Sequence, residues 1–210
     1  VLPELAATVQ ASQLFFHREV GTEEAAAERA VIWAFAGTQL DIRAFWAGTL
    51  HHPDDVPFSL SELPEVFTQF RERVERESPP PRAPLDAPDT LAKVEVDPGD
   101  LPTFATFGLQ PPERHSRAKI AFAGGARAGH ARLRHYVWQA DRLRMYKVTR
   151  NGMLAPDDAM RLSPWLALGC VSLREVYADV QRYERERVRN ESTYWLVFEL
   201  LWRDYFHFVA

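Results

Sequence analysis

The sequence predicts an α/β unit, then a long proline-rich linker, then an all-α region. Three observations carry that reading. Residues 13–20 (QLFFHREV) and 39–46 (GTQLDIRAFW without its first two residues) read as strands around an alanine-rich helical stretch, which makes a strand–helix–strand unit. From Ser78 the sequence turns proline-rich and loses sustained periodicity. Beyond Gly124-Gly125 every periodic segment is helical.

Taken in order, Leu5 to Val9 reads as the end of a helix. Strand 13–20 leads into Gly21, with Thr22 as candidate N-cap and Glu23 and Glu24 suited to the positive end of a helix dipole. A second strand follows at 39–46, so the connection predicts a parallel pair. Two strands do not make a stable parallel sheet alone, so earlier strands are expected outside this sequence. Residues 64–76 (PEVFTQFRERVER) predict a short helix with Phe67 and Phe70 inward. In the last region 128–146 predicts one amphipathic helix with Leu133, Tyr136, Val137, Trp138 and Leu143 facing in. Segments 164–169, 172–187 and 193–209 predict three more, with Ser172 and Ser192 or Thr193 as caps.

Composition narrows the function classes. The 210 residues are 46% hydrophobic, enough to bury a core. A single cysteine, Cys170, excludes an internal disulfide framework and a thiolate-rich metal site. No apolar run approaches the roughly 18 residues of a membrane-spanning helix. The sequence opens on Val1, so a native targeting peptide is not assessable from it. A cytoplasmic location is expected for a bacterial source, an organellar or nuclear one for a eukaryotic source. No GxGxxG, phosphate-loop lysine or GxSxG signature is present. His51-His52 with Asp54-Asp55 reads as turn chemistry rather than a metal cluster, and no metal ligand is expected.

The net charge of -4 conceals an asymmetry. Arg117, Lys119, Arg127, Arg132, Arg134, Arg142, Arg144, Lys147 and Arg150 lie in one stretch whose only acid is Asp141, with Tyr136, Trp138 and Tyr146 interleaved. Such a run favours anionic partners such as phosphates or nucleic acid. The alternative is a solvated face balanced by the acidic first half of the chain. Near the end, TYWLVFELLWRDYFHF places Glu199, Trp202, Arg203 and Phe206 at i, i+3, i+4 and i+7, on one helical face. An acid, a base and two aromatics on one stripe suit a planar ligand. They also read as a core helix, with Trp195, Phe198, Leu201, Trp202 and Tyr205 inward and a Glu199–Arg203 surface pair.

The strings DRLRMYKVTRNG (141–152), RLSPWLALG (161–169) and YWLVFELLWRD (194–204), supported by Gly124-Gly125 and by LPEVFTQF (63–70), resemble the photolyase/cryptochrome superfamily, and within it the DASH-type cryptochromes. The resemblance runs nearly the whole chain in order, weakest in the linker. It implies a partial Rossmann-like antenna domain at 1–77, an interdomain linker at 78–118 and the first part of an all-helical FAD-binding domain at 119–210. By position it implies FAD contacts at Tyr146, Arg161, Ser163 and Arg203. It implies contacts to damaged pyrimidines at Glu199 and Trp202, and a DNA contact at Arg150. Glu62 matches the acid that holds a folate antenna, 5,10-methenyltetrahydrofolate, in some members. Ala159 and Met160 depart from the family pattern, standing where small hydroxyl residues are usual, so two side-chain donors are expected to be lost.

The activity so implied is blue-light-driven, FAD-dependent repair of cyclobutane pyrimidine dimers, in single-stranded DNA, by electron transfer from reduced flavin. That is the reaction of a deoxyribodipyrimidine photo-lyase, with no membrane partner and a monomer expected. The piece in hand is expected to be inactive alone. Two alternatives stand beside it: a blue-light photoreceptor or DNA-binding regulator without repair, and an inactive truncated remnant.

Overall fold

The computed structural model describes residues 1–91, 94–97, 99–113 and 115–210, so residues 92, 93, 98 and 114 of the expected linker lie outside the described residues. The α/β part consists of α1 (Leu2–Thr8), β1 (Gln13–Arg18), α2 (Thr22–Ala34) and β2 (Asp41–Trp46). The strands pair in parallel, Gln13 opposite Asp41 through to Arg18 opposite Trp46, as the strand–helix–strand pattern predicts. Thr22 opens α2 as its first residue, and Gly21 takes the cap position. Neither α1 nor α2 buries a residue, and Phe15, Trp33 and Phe45 are exposed. A two-stranded pair has too little area to cover its own apolar faces.

From Thr49 onward the chain docks onto the helical region. The helix α3 (Phe67–Glu77) is amphipathic and buries Phe67, Phe70 and Val74. With Val56 and Phe58 these residues pack against Leu201, Tyr205 and Phe208 of the last helix, α8 (Glu191–Val209). Residues 78–118 contain no helix or strand among those described, apart from a single 3-10 turn at Ala105–Phe107. The linker's start is tethered by Arg82, whose guanidinium donates to both Asp55 oxygens at 2.6 and 2.8 Å.

The helix expected at 128–146 is broken. Helix α4 (Ala126–Arg134) runs into a π turn at His135–Gln139, where the Ala140 N–H reaches back to the His135 carbonyl. Asp141 then adopts φ +53°, and a 3-10 turn (Leu143–Met145) leads into the short α5 (Tyr146–Thr149). Asp tolerates the left-handed region better than most residues. Here it is also fixed by three donors: the Tyr183 hydroxyl at 2.6 Å, Arg187 at 2.8 Å and Arg144 at 2.9 Å. The inward residues are as expected, except that Trp138 is only half-buried.

Helix α6 (Ser163–Ala167) crosses α4 at Gly129, where an added Cβ would stand 2.5 Å from the Val171 side chain and 2.9 Å from Trp165. Only glycine allows that approach. Helix α7 (Leu173–Glu186) begins with a capping box between Ser172 and Glu175. Helix α8 is capped by Asn190, whose side-chain oxygen accepts from the Ser192 and Thr193 amides. The expected caps Ser192 and Thr193 lie inside it, buried: the Ser192 hydroxyl accepts the Lys147 amide at 3.1 Å, and Thr193 bonds Glu184.

Helix α8 packs on two sides, so its buried face is wider than the aromatic stripe suggests. Leu196 and Leu200 enter the core formed by α4 to α7, while Leu201, Tyr205 and Phe208 enter the core shared with α3. Trp195, Phe198 and Trp202, expected inward, are half-buried on the flanks. Between the two cores sits Asp204, with no exposed surface, accepting the Leu50 amide at 2.7 Å and the His51 amide at 2.8 Å. Its second oxygen also meets the His51 ring nitrogen at 3.3 Å. His52 serves a separate purpose, its ring accepting the Asp54 amide in the following turn. Replacing Asp204 with alanine strands two buried N–H groups, so the expected loss of folding stability is about 3 kcal/mol. Asparagine, which keeps one carbonyl acceptor, is expected to lose about half of that. Urea unfolding of the two variants beside the parent measures both.

Candidate functional site

A cleft of about 350 Å³ lies where α5, α6 and α8 meet. Its polar lining is Tyr146, Arg161, Ser163, Glu199 and Arg203. Its apolar lining comes from Met160, Leu162, Leu166, Val176, Leu196 and Leu200. Five of the eight residues singled out from sequence therefore share one cavity, although they span 58 positions of chain from 146 to 203 inclusive.

The local structure explains how each arrives. The α8 cap orders this corner twice over: Asn190 donates to the Arg144 carbonyl at 3.1 Å and Ser192 receives the Lys147 amide. These bonds seat α5 on α8, which turns Tyr146 into the cleft and sets Arg150 against Glu199 at 2.7 Å. The expected Glu199–Arg203 pair does not form. Glu199 instead takes Arg150 and the Trp195 indole N–H at 3.2 Å, while the Lys147 ammonium lies 4.7 Å from the centre of the Trp195 ring. Burial is the main cause that pushes the Tyr146 phenol above its usual range, with the Glu199 carboxylate adding to it, so the phenol remains a proton donor.

Arg203 is half-buried, and its Nε has no hydrogen-bond partner. Burial lowers its pKa from the ordinary value, against the opposing pull of Asp204 and Glu19, but a guanidinium stays charged. Arg161 has the same property, a buried Nε without a partner, and holds φ +57°. A non-glycine residue there costs on the order of 1–3 kcal/mol and persists only where its surroundings impose it. Two unpartnered cationic donors over an apolar floor suit a flat ligand with anionic groups. The volume stands at the lower end of ligand sites.

Not all the expected residues converge. Trp202 does not line the cleft. Its ring stacks on Phe67 at 3.6 Å between centroids, with Phe206 at 5.4 Å. Glu62 is exposed in the 3-10 turn Leu60–Glu62, bonded to the Ser59 hydroxyl, and borders only a shallow surface hollow with Arg73 and Arg76. A second cleft of about 370 Å³ lies beside Arg203 between the α/β part and α6, and the carboxylate facing it is Glu19. Serine 163 lines the main cleft at the start of α6, but that helix has five residues and the Trp165 and Leu166 amides are both taken by the Leu162 carbonyl.

Four of the nine basic residues of the run are ion-paired, and not by the acidic first half. Arg132 pairs with Asp157 at 2.6 Å, Arg144 with Asp141, Lys147 with Glu191 and Arg150 with Glu199. Arg117, Lys119, Arg127, Arg134 and Arg142 form no ion pair with any described residue. Sequence reasoning missed the support beneath the cleft. Arg132 and Asp157 are 25 positions apart and no periodicity links them; an arginine at a half-buried helical position was the available signal.

The chain belongs to the photolyase/cryptochrome family. A family model described as DNA photolyase matches residues 1–89. The chain is 47% identical over its full length to a protein named cryptochrome DASH from Gloeobacter violaceus, and 44% identical to the chloroplastic/mitochondrial cryptochrome DASH of Arabidopsis thaliana. It spans 42% and 37% of their respective lengths. The crystal structure of a Synechocystis cryptochrome superposes with a TM-score of 0.85 at 41% identity, covering all of this chain and 44% of that one. A class III photolyase from Agrobacterium tumefaciens shares the fold, with a TM-score of 0.70 at 20% identity. No helix among the described residues is long and apolar enough to cross a membrane.

Burial raises the Asp157 pKa, but the hydrogen bonds from Arg132 and His135 outweigh it and hold the carboxyl below its usual range. A depressed acid contributes stability above its unfolded value, about 4, and loses it as pH falls through the lower folded value. The stability difference between the parent and Asp157→Asn, from urea unfolding, is therefore expected to be constant above about pH 4 and to vanish below it.

Proposed function

We propose that this chain supplies one wall of the cofactor and lesion site of a light-driven DNA-repair photolyase of the DASH type. The observation that carries the reading is the cleft itself, where Tyr146, Arg161, Ser163, Glu199 and Arg203 meet and two arginine Nε atoms lack partners. On this reading FAD is the cofactor, and when bound it supplies a light-driven electron donor. Arg161 and Arg203 hold its polar and anionic parts, Ser163 and Tyr146 offer hydroxyls, and the leucines bury its flat faces.

Glu199 is the lesion contact. Its carboxylate is already oriented by Arg150 and Trp195, so it meets a pyrimidine dimer without reorganising. Arg150 then serves two anions, Glu199 and a DNA phosphate. Trp202 bounds the lesion by its edge or after a shift from Phe67. Single-stranded DNA suits the substrate role, since extruding a dimer from an intact duplex costs roughly a few kcal/mol more. The remaining basic residues supply salt-dependent attraction to the backbone. A folate antenna at Glu62 rests on resemblance alone, because Glu62 stands apart from both clefts.

The second reading is a photoreceptor or DNA-binding regulator without repair. The Trp202–Phe67 stack favours it, since it occupies the aromatic that repair needs. Expressing the whole open reading frame that encodes this chain decides between the two. The repair reading expects flavin absorbance in the purified protein and loss of dimers from single-stranded DNA in blue light alone. Glu199→Gln is expected to slow that loss at least tenfold while flavin is retained, because the substitution alters the lesion contact. Equal dimer loss in darkness and light rejects the repair reading, and flavin binding with no repair at all selects the regulator.

A further inference from the structure

We propose that Arg132 is a positioning residue for the cleft, fastening the backbone of residues 156–160 so that Met160 and Arg161 stand as its wall. The proposal rests on the flavin reading only for its functional consequence. The guanidinium of Arg132 reaches from α4 into the loop between α5 and α6 and is almost wholly enclosed by it, with 9% of the side chain exposed. Its Nε donates to the Met160 carbonyl at 2.8 Å, and one terminal nitrogen donates to the Ala159 carbonyl at 2.9 Å and the Pro156 carbonyl at 3.1 Å. The other terminal nitrogen meets the Asp157 carboxylate at 2.6 Å. One planar fork therefore gathers four acceptors of a loop that has no helix or strand of its own.

Two further contacts close the arrangement. His135 meets the second Asp157 oxygen at 3.0 Å, and Arg142 Nε donates to the Asp157 carbonyl at 3.2 Å. The next residue after the gripped carbonyls is Arg161, the strained, left-handed residue that lines the cleft and whose Nε is buried without a partner. Nothing in the intrinsic preference of Arg161 favours that conformation, so the hydrogen bonds of the loop must impose it, its own bond to the Ala155 carbonyl among them. Arg132 adds to that restraint without itself lining the cleft, so it acts through Arg161 and not by contact.

The test uses the full-length protein and two readouts, hydrogen exchange of amides 156–162 and the dissociation constant for FAD. Arg132→Met is expected to speed exchange in that segment at least tenfold and to weaken FAD binding at least tenfold. Arg132→Lys keeps charge and stem but loses the planar fork, and is expected to show the same pattern more mildly. Should the methionine variant fail to fold, the lysine variant and Asp157→Asn carry the test. Tyr205→Phe, which loses a hydrogen bond to the Glu65 carbonyl far from the loop, is the control for general destabilisation and is expected to leave 156–162 unchanged. Exchange that stays at the parent's rate overturns the proposal. So does a loosened loop with unaltered FAD affinity. A parent protein that binds no FAD overturns the flavin reading instead, and exchange alone then decides whether Arg132 holds the loop.

Discussion

The buried carboxylate of Asp204 is the constraint on which the arrangement depends. A fully buried acid is costly unless its oxygens are satisfied, and here the satisfying donors are the amides of Leu50 and His51, more than 150 positions earlier. Burial raises its pKa, while the bonds from His51 and Leu50 act in the opposite direction. Because those donors are backbone groups, the bond fixes the course of the chain just after β2 and not merely a side chain. It also fixes the rotation of α8. With Asp204 pointing at residues 50–51, the helical repeat turns Leu200 and Leu196 into one core and Leu201, Tyr205 and Phe208 into the other. Glu199 and Arg203 are then left at the border of the cleft, where they are only half-buried.

That placement gives the charges their meaning. Four cations of the basic segment are matched by acids, Asp141 within it, Asp157 in the loop before α6, and Glu191 and Glu199 of α8, so part of the formal charge is spent on holding structure. Arg132 and Arg150 are both of this kind, one beneath the cleft and one at its rim. What remains for a ligand is narrower and more specific: the Nε groups of Arg161 and Arg203, each removed from water and without a protein acceptor. A buried donor without a partner is unfavourable by itself. Both Nε groups belong to residues that line one cavity, which supports reading that cavity as a ligand site.

Much of this was legible in the sequence, and the parts that were not share a cause. Strand–helix–strand, the inward Phe67 and Phe70, and the α7 cap at Ser172 all rest on local pattern, and each stands where the pattern puts it. The convergence of Tyr146, Arg161, Ser163, Glu199 and Arg203 followed from resemblance, since no spacing rule links α5 with α8. The break at Asp141 was hidden because an amphipathic period continues across it, and only the bonds from Tyr183, Arg187 and Arg144 reveal why the helix stops. The wide buried face of α8 was hidden for a similar reason. An aromatic stripe marks one contact surface, whereas a helix between two cores needs two, and Leu196 and Leu200 supply the second. Asp204 itself sat within a recognised string and drew no notice, because its partners are amides, which no side-chain motif records.

The departures at Ala159 and Met160 then have a physical reading. A loop held through its side chains would change course when two hydroxyl residues are replaced by alanine and methionine. This loop is held through its carbonyls, with the Arg132 fork on Pro156, Ala159 and Met160 oxygens, and carbonyls are indifferent to the side chains they carry. The backbone can therefore keep its path while the side chains exchange roles. Met160 is buried in the cleft wall and adds apolar, adaptable surface where a hydroxyl would have offered a donor. On the reading proposed above, recognition of an anionic group at this wall then falls to the two arginines, whose Nε atoms have no protein acceptor. On the same reading, flavin affinity depends on the guanidinium groups of Arg161 and Arg203 more steeply than it would with hydroxyl side chains at 159 and 160.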